Sequence, residues 1–290
     1  MIALKIFIKK LILIFLAVIG YCIFLPLWLG RRKNKLVIIR YHSVGDFRKH
    51  EVNVKINKFR KQMQFLAKNY SLLSLKDACG LLKQKRCLPK KAVAVTFDDG
   101  YSDNYTNAYP ILRNLGVPAT IFLTAGYIGT EKILPHDIND NPIYNHFLAW
   151  DQVREMSRYG IDFGSHTINH ANLGKVTDFK KEITDSKEII EKELGSKIDM
   201  ISYPFGLVID FNQDVKKVAE EAGYIFGFTA MNGVNDVSTD LFELRRIGIE
   251  SSDNMFTFLA KLNGELDLLE IKNCIFLNKI LRVFNRLMKV

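Results

Sequence analysis

The chain has 290 residues, 48% of them hydrophobic and 25% charged, which excludes a disordered or low-complexity protein and allows a sizeable core. Its formal charge of +10 is not the signature of a nucleic-acid enzyme, which carries its basic surface on the folded domain. Residues 1–35 hold seven Lys/Arg and residues 272–290 hold five, neither stretch contains an acid, and the middle is left at about −2.

Residues 11–30 form an apolar run of twenty positions between Lys9-Lys10 and Arg31-Arg32-Lys33, long enough to cross a hydrocarbon core as a helix. A cleaved signal peptide has a shorter apolar region and a small-x-small site, and Leu27-Trp28-Leu29-Gly30 is a poor one, so an uncleaved anchor is expected. Basic residues flank both ends, and the positive-inside rule gives no orientation. A strand over 36–42 follows, closing on Arg40-Tyr41-His42-Ser43, then helices over 57–68 and 75–84.

The next strand, 92–98, runs into Thr96-Phe97-Asp98-Asp99-Gly100. A helix over 103–115 and a strand over 118–124 follow, and then an unpatterned stretch, 126–149, suited to one wall of a cleft. After a helix over 150–159, the strand 161–166 ends in Ser165-His166-Thr167-Ile168-Asn169-His170. A helix over 178–194 and a strand over 198–203 lead into Tyr203-Pro204-Phe205-Gly206. A helix over 212–222 and strands over 224–230 and 243–249 complete the alternation. This order fits parallel units closing into a barrel, and about 240 residues suit one such domain.

Strands that end in ionisable residues place them at a barrel rim, where sites are built. An Asp-Asp pair alone is ordinarily a turn or helix cap, and a lone His-x-x-x-His is ordinarily surface or core histidine. Together, one aspartate and two histidines make a three-ligand set for a divalent ion, with a position left open for water or substrate. The second aspartate is then free to act as a base.

These three stretches resemble the motifs of the polysaccharide deacetylases, carbohydrate esterase family four, which share the NodB-homology domain. The likeness spans about residues 36 to 250. It implies a distorted, incomplete barrel of about seven strands and hydrolysis of N-acetyl groups on a polysaccharide. It also implies a divalent ion, zinc first among the candidates, held by Asp99, His166 and His170. Asp98 becomes the general base, and the Phe205 backbone N–H helps hold the oxyanion. The Tyr-His pair at 41–42 with Tyr-Pro-Phe-Gly later is similar to the branch acting on exopolysaccharides such as poly-N-acetylglucosamine.

Two departures stand out. Many members carry an arginine two residues before the motif-three proline, where this chain has Ser202, and no Leu-x-His near the C-terminus supplies the usual acid. Arg246, in Leu244-Arg245-Arg246-Ile247-Gly248-Ile249, is the candidate to meet Asp98; the bland alternative is a surface ion pair. His42 is the candidate acid; the bland alternative is a strand cap. His50, His136 and His146 lie in polar stretches and are expected to be solvated loop residues.

The expected organisation is an anchor with basic flanks over 1–35, the deacetylase domain over 36–252, and a basic helical tail over 253–290. Within the tail, Leu277, Ile280, Leu281, Phe284, Leu287 and Met288 share one helical face, which either lies on an anionic bilayer or packs on the barrel. Cys79 and Cys87 can bridge only in an oxidising compartment, and the absence of Cys-x-x-Cys argues against a thiolate zinc site. The expected enzyme is anchored in the bacterial cell envelope with its domain outside the cytoplasm. Its partners are a polysaccharide, membrane lipid and the polysaccharide synthesis or export machinery, and not nucleic acid. Two other readings stay open: a metal-dependent hydrolase of an O-acetyl ester or phosphoester, and a silent carbohydrate-binding or assembly protein.

Overall fold

A computed structural model of the chain describes residues 34–46, 50–138 and 146–264, with Leu11, Ile14, Phe15 and Val18. In chain order the elements begin with β1 (Leu36–Tyr41), β2 (Ser43–Val44), β3 (Asn53–Val54), α1 (Ile56–Asn69), β4 (Ser71–Leu72), α2 (Leu75–Lys83) and β5 (Ala92–Phe97). A π-helical turn, Asn104–Ala108, opens α3 (Tyr109–Leu115). Then come β6 (Ala119–Leu123), α4 (Trp150–Arg158), β7 (Ile161–Ser165), α5 (Phe179–Leu194) and β8 (Met200–Ser202). Last are α6 (Gln213–Glu221), β9 (Phe226–Phe228), β10 (Ile247–Gly248) and α7 (Met255–Asn263).

The main sheet is parallel, in the order β10-β1-β5-β6-β7-β8-β9, with β4 beside β5. Its strands are short apolar runs because both faces are covered. Ile38, Ala94, Phe122, Met200, Phe228 and Leu244 pack on one face, where Leu75, Ala78, Cys79 and Leu82 of α2 join them. Val37, Ile39, Val95, Phe97 and Ile121 belong to the larger cluster under the other helices. Gly164 fits the inner face because a Cβ there would come within 2.7 Å of the Phe122 ring.

The two edges of the sheet are joined by one stretch of chain. Leu244 N–H donates to Gly227 O (2.9 Å), Thr229 N–H to Leu244 O (2.8 Å), and Arg246 N–H to Met231 O (3.0 Å). One residue later the same stretch is β10, with Ile247 in register with Ile39 of β1. The barrel is thus distorted at its closure, and the strand expected over 243–249 shrinks to two residues. That irregularity turns Arg246 inward, as described below.

Several helix ends follow local chemistry. Ser74 and Asn212 accept the N–H three residues on and cap α2 and α6, while Gly116 and Gly195 end α3 and α5 in the left-handed conformation. Asn254 caps α7, which buries Phe258 and Leu262 in the main core and sends Lys261 Nζ to Asp253 (2.7 Å) and Gly248 O (2.8 Å). Cys79 is buried and Cys87 exposed, both as free thiols.

Among the described residues no helix is long and apolar enough to cross a membrane. The expected span over 11–30 lies outside the described residues apart from four helical positions, and the expected amphipathic face from Leu277 to Met288 lies wholly outside them.

Candidate active site

The strand β5 delivers Asp98 and Asp99 to the rim by a strained turn. Asp98 N–H still donates to Tyr41 O (3.0 Å), continuing the ladder, but Asp99 has φ +74° and accepts from Thr124 N–H (3.2 Å) at its carbonyl. Successive side chains therefore diverge. Asp98 faces Arg246, whose Nη1 and Nη2 donate to its two oxygens at 2.7 and 2.8 Å. Both groups are buried. Burial alone would raise the Asp98 carboxyl, but the Arg246 guanidinium overrides it and holds the group well below the usual carboxylate range. Arg246 is fully engaged, since Nε donates to Thr229 O (2.9 Å) and Nη2 also to Ser202 Oγ (2.7 Å). Ser202, the position where many family members place arginine, is thus a small acceptor beneath an arginine arriving from the closing strand.

Asp99 faces the histidines. Its Oδ1 lies 3.5 Å from His166 Nε2 and 3.4 Å from His170 Nε2, and the three ligand atoms fall within 4.8 Å of one another. His166 Nδ1–H donates to Ser202 O (2.7 Å), which fixes the tautomer with the Nε2 lone pair facing Asp99. Burial lowers both imidazoles to about 4, and raises the Asp99 carboxyl. Asp99 Oδ1 is buried without a hydrogen-bond donor. Two neutral imidazoles and a buried carboxylate oxygen with no donor are a poor set of partners for each other and a fitting set for a divalent cation.

The turn carrying the histidines is held by a residue the sequence did not single out. Glu182, in the first turn of α5, accepts from the N–H of Ile168 (3.0 Å) and Asn169 (2.9 Å) through Oε2, and from Asn169 Nδ2 (2.7 Å) through Oε1. Asp210 ties the third motif to the second, accepting from Asn172 Nδ2 (2.6 Å) and Leu207 N–H (3.1 Å). Such strapping is needed because the backbone is strained. Of the seven non-glycine residues with positive φ among the described residues, Asp99, Thr167, His170 and Phe205 lie in the three motifs.

Phe205 has φ +63° and its side chain is half exposed, with its ring 4.9 Å from that of His170. Gly206, at φ +58°, sits so close to the next strand that a Cβ would lie 2.5 Å from Ala230 N. His42 lies at the same rim, half-buried, its Nδ1 without a hydrogen-bond partner, and burial and then Arg40 lower its imidazole well below the usual value. His136 is exposed in its loop, as expected, and its ring also packs 5.2 Å from that of His170. The stretch before α4 folds back over the second motif, a contact that spacing along the chain does not reveal. His146 does lie at the surface, near Glu131.

A parallel barrel with Asp98, Asp99, His166 and His170 gathered at the C-terminal strand ends has the architecture of an α/β-barrel enzyme. The sequence profile of the polysaccharide deacetylases matches residues 85–227. YxkH of Bacillus subtilis, a protein named for the polysaccharide deacetylases, is 33% identical over 226 residues, covering 77% of this chain and 74% of that protein. The chain belongs to the polysaccharide deacetylase family, hydrolases that cleave the C–N bond of N-acetyl groups. The poly-beta-1,6-N-acetyl-D-glucosamine N-deacetylase of Staphylococcus epidermidis is 28% identical over 258 residues, 80% of this chain and 84% of that one. Among solved structures, the Streptococcus pyogenes deacetylase PplD in complex with acetate superposes with a TM-score of 0.68 at 26% identity, over 79% of this chain and 99% of that one. IcaB from Ammonifex degensii gives a TM-score of 0.67 at 22% identity, over 80% and 98%, a likeness of fold.

Proposed function

We propose that this chain is a membrane-anchored, metal-dependent deacetylase that hydrolyses N-acetyl groups of a cell-surface or exported polysaccharide of the N-acetylglucosamine type. The observation that carries the reading is the convergence of Asp99, His166 and His170 beside an Asp98 locked by Arg246. A divalent ion at the triad, with zinc the first choice for one carboxylate and two imidazoles, supplies Lewis acidity, acidifying a water and polarising the amide carbonyl.

The protein's own groups do the rest. Arg246 keeps Asp98 ionised and fixes both of its oxygens, so Asp98 is an oriented proton acceptor for the attacking water. The positive φ of Phe205 turns its N–H away from the ladder, free to donate to the oxygen that gains charge in the tetrahedral state. His42 enters as a neutral imidazole, so the proton that the departing amine needs comes from the attacking water by way of Asp98, and His42 passes it on. The exposed Phe205 ring offers an apolar face to the sugar.

The anchor rests on the uncharged run over 11–30 and its basic flanks, and a polysaccharide substrate favours a domain outside the cytoplasm. The relatedness to poly-N-acetylglucosamine deacetylases supports the sugar class. The test is acetate release from N-acetylglucosamine oligomers, with and without a chelator. Chelator-sensitive release is expected. No release, or release indifferent to the chelator, rejects a metal-dependent N-deacetylase.

A further inference from the structure

Arg40 is the one charged residue on the inner face of β1, in the same file as Leu36 and Ile38, at the end of the strand where the active site opens. It lies in register between Thr96 of β5 and Gly248 of β10. Gly248 makes room for it: a Cβ there would come within 3.1 Å of Arg40 Nη2. The guanidinium is half-buried, yet its Nε is shut off from water without a hydrogen-bond acceptor, and the group has no ion-pair partner among the described residues. Arg246 repels it, while Asp98, Glu250 and Asp99 attract it only through space, and both oxygens of Asp98 are already bonded to Arg246.

A half-buried arginine whose carboxylate neighbours act only through space, with none bonded to it, still has donors to offer an incoming anion. A guanidinium presents a rigid fork of N–H donors that matches a carboxylate or phosphate and gains less from a neutral hydroxyl. The same rim shows the preference directly, because Arg246 takes its carboxylate through two parallel bonds.

We infer that Arg40 is a binding site for an anionic group of the substrate, a carboxylate or phosphate carried on or next to the N-acetylated sugar. The inference rests on the deacetylase reading and narrows its substrate to an acidic, N-acetylated polysaccharide. Arg40 selects and orients, and takes no part in bond breaking.

The test is calorimetric binding to the full chain in detergent, which needs no turnover. Three probes are compared: a neutral N-acetylglucosamine tetramer, a tetrasaccharide alternating N-acetylglucosamine with glucuronic acid, and an N-acetylglucosamine tetramer bearing a 6-phosphate. The wild type is expected to bind one or both acidic probes at least about tenfold more tightly than the neutral one, a margin that shrinks with added salt. Whichever acidic probe wins identifies the source of the charge. Arg40→Met is expected to bring the acidic-to-neutral ratio to about one, and Arg40→Lys to leave it in between. Equal binding of all three probes by the wild type overturns the inference without any variant, and so does an unchanged ratio in Arg40→Met. Acetate release from the same probes reports separately on the deacetylase reading.

Discussion

Two arginines stand at one rim of this barrel in opposite states. Arg246 has every arm of its guanidinium engaged, by Asp98, Ser202 and Thr229. Arg40 has an orphaned Nε and no ion pair among the described residues. The same division runs through the whole site. On the Arg246 side, Asp98 accepts one bond at each oxygen and its geometry is set before any substrate arrives. On the side of the triad and β1, Asp99 Oδ1 and His42 Nδ1 are buried without partners. Groups that orient are satisfied by the protein, and groups that meet a cation or substrate are left short of partners. At this rim, the unsatisfied buried atoms Asp99 Oδ1, His42 Nδ1 and Arg40 Nε lie where a cation and a substrate would sit.

The triad tests this division with the largest effect. His166→Ala and His170→Ala each remove one of three ligands, and metal content is expected to fall to background with loss of acetate release. Elemental analysis of the purified variants checks it; full stoichiometry in both would remove the triad from metal binding. On the satisfied side, Asp98→Asn keeps the shape but cannot accept a proton. Turnover should fall about 10²–10⁴-fold with metal retained. Near-normal turnover in Asp98→Asn would show that the oriented acceptor is not the base.

A third effect lies outside the motifs. Glu182 straps the turn between the two histidines. Supports of this kind typically govern metal affinity by about 10–100-fold. Glu182→Ala is therefore expected to weaken metal binding within that range, measured by competition with a chelating dye, and Glu182→Gln to weaken it less. Unchanged affinity in Glu182→Ala would mean that strand ends alone hold the histidines.

Glu182 also shows where reading the sequence stops. The long strands and helices were legible because their apolar periodicity is local, as with the buried run Ala92–Phe97. The convergence of Asp99, His166 and His170 could be anticipated because Asp98, Asp99 and His166 lie at predicted strand ends and His170 follows four residues on. Strands β2, β3 and β4 have two residues each, too few to carry a period. The π turn before α3 has no distinct pattern in an otherwise helical stretch. Glu182, twelve positions past His170, looks like any acidic residue in a first helical turn, and His136 looks like a loop histidine. Only the folding of α5 and the loop onto the second motif gives either a role. Arg40 lies in a strand-end pattern that the sequence shows, but whether an arginine is paired is settled by partners far off in sequence.

The smallest effect is expected at Arg40, and it is read against Arg246 in the absence of any ligand. Removing Arg246 leaves Asp98 buried without its counter-charge, and breaking a buried pair from one side typically costs ~3–5 kcal/mol. Arg246→Met should therefore lower the free energy of unfolding by that order. Arg40→Met removes a guanidinium that has no bonded ion pair and is the part of the side chain lying over Gly248, and methionine retains much of the apolar stem. The expected change is close to zero, with a gain of about 1 kcal/mol at most as the uncompensated charge is lost. Denaturant titration of both variants beside the wild type makes the comparison. Equal destabilisation would give Arg40 a structural role like that of Arg246, and the orphaned Nε would no longer mark a place for substrate. A stable Arg40→Met beside a crippled Arg246→Met would mean that the charge on β1 is kept at no benefit to the fold, which leaves binding as its use.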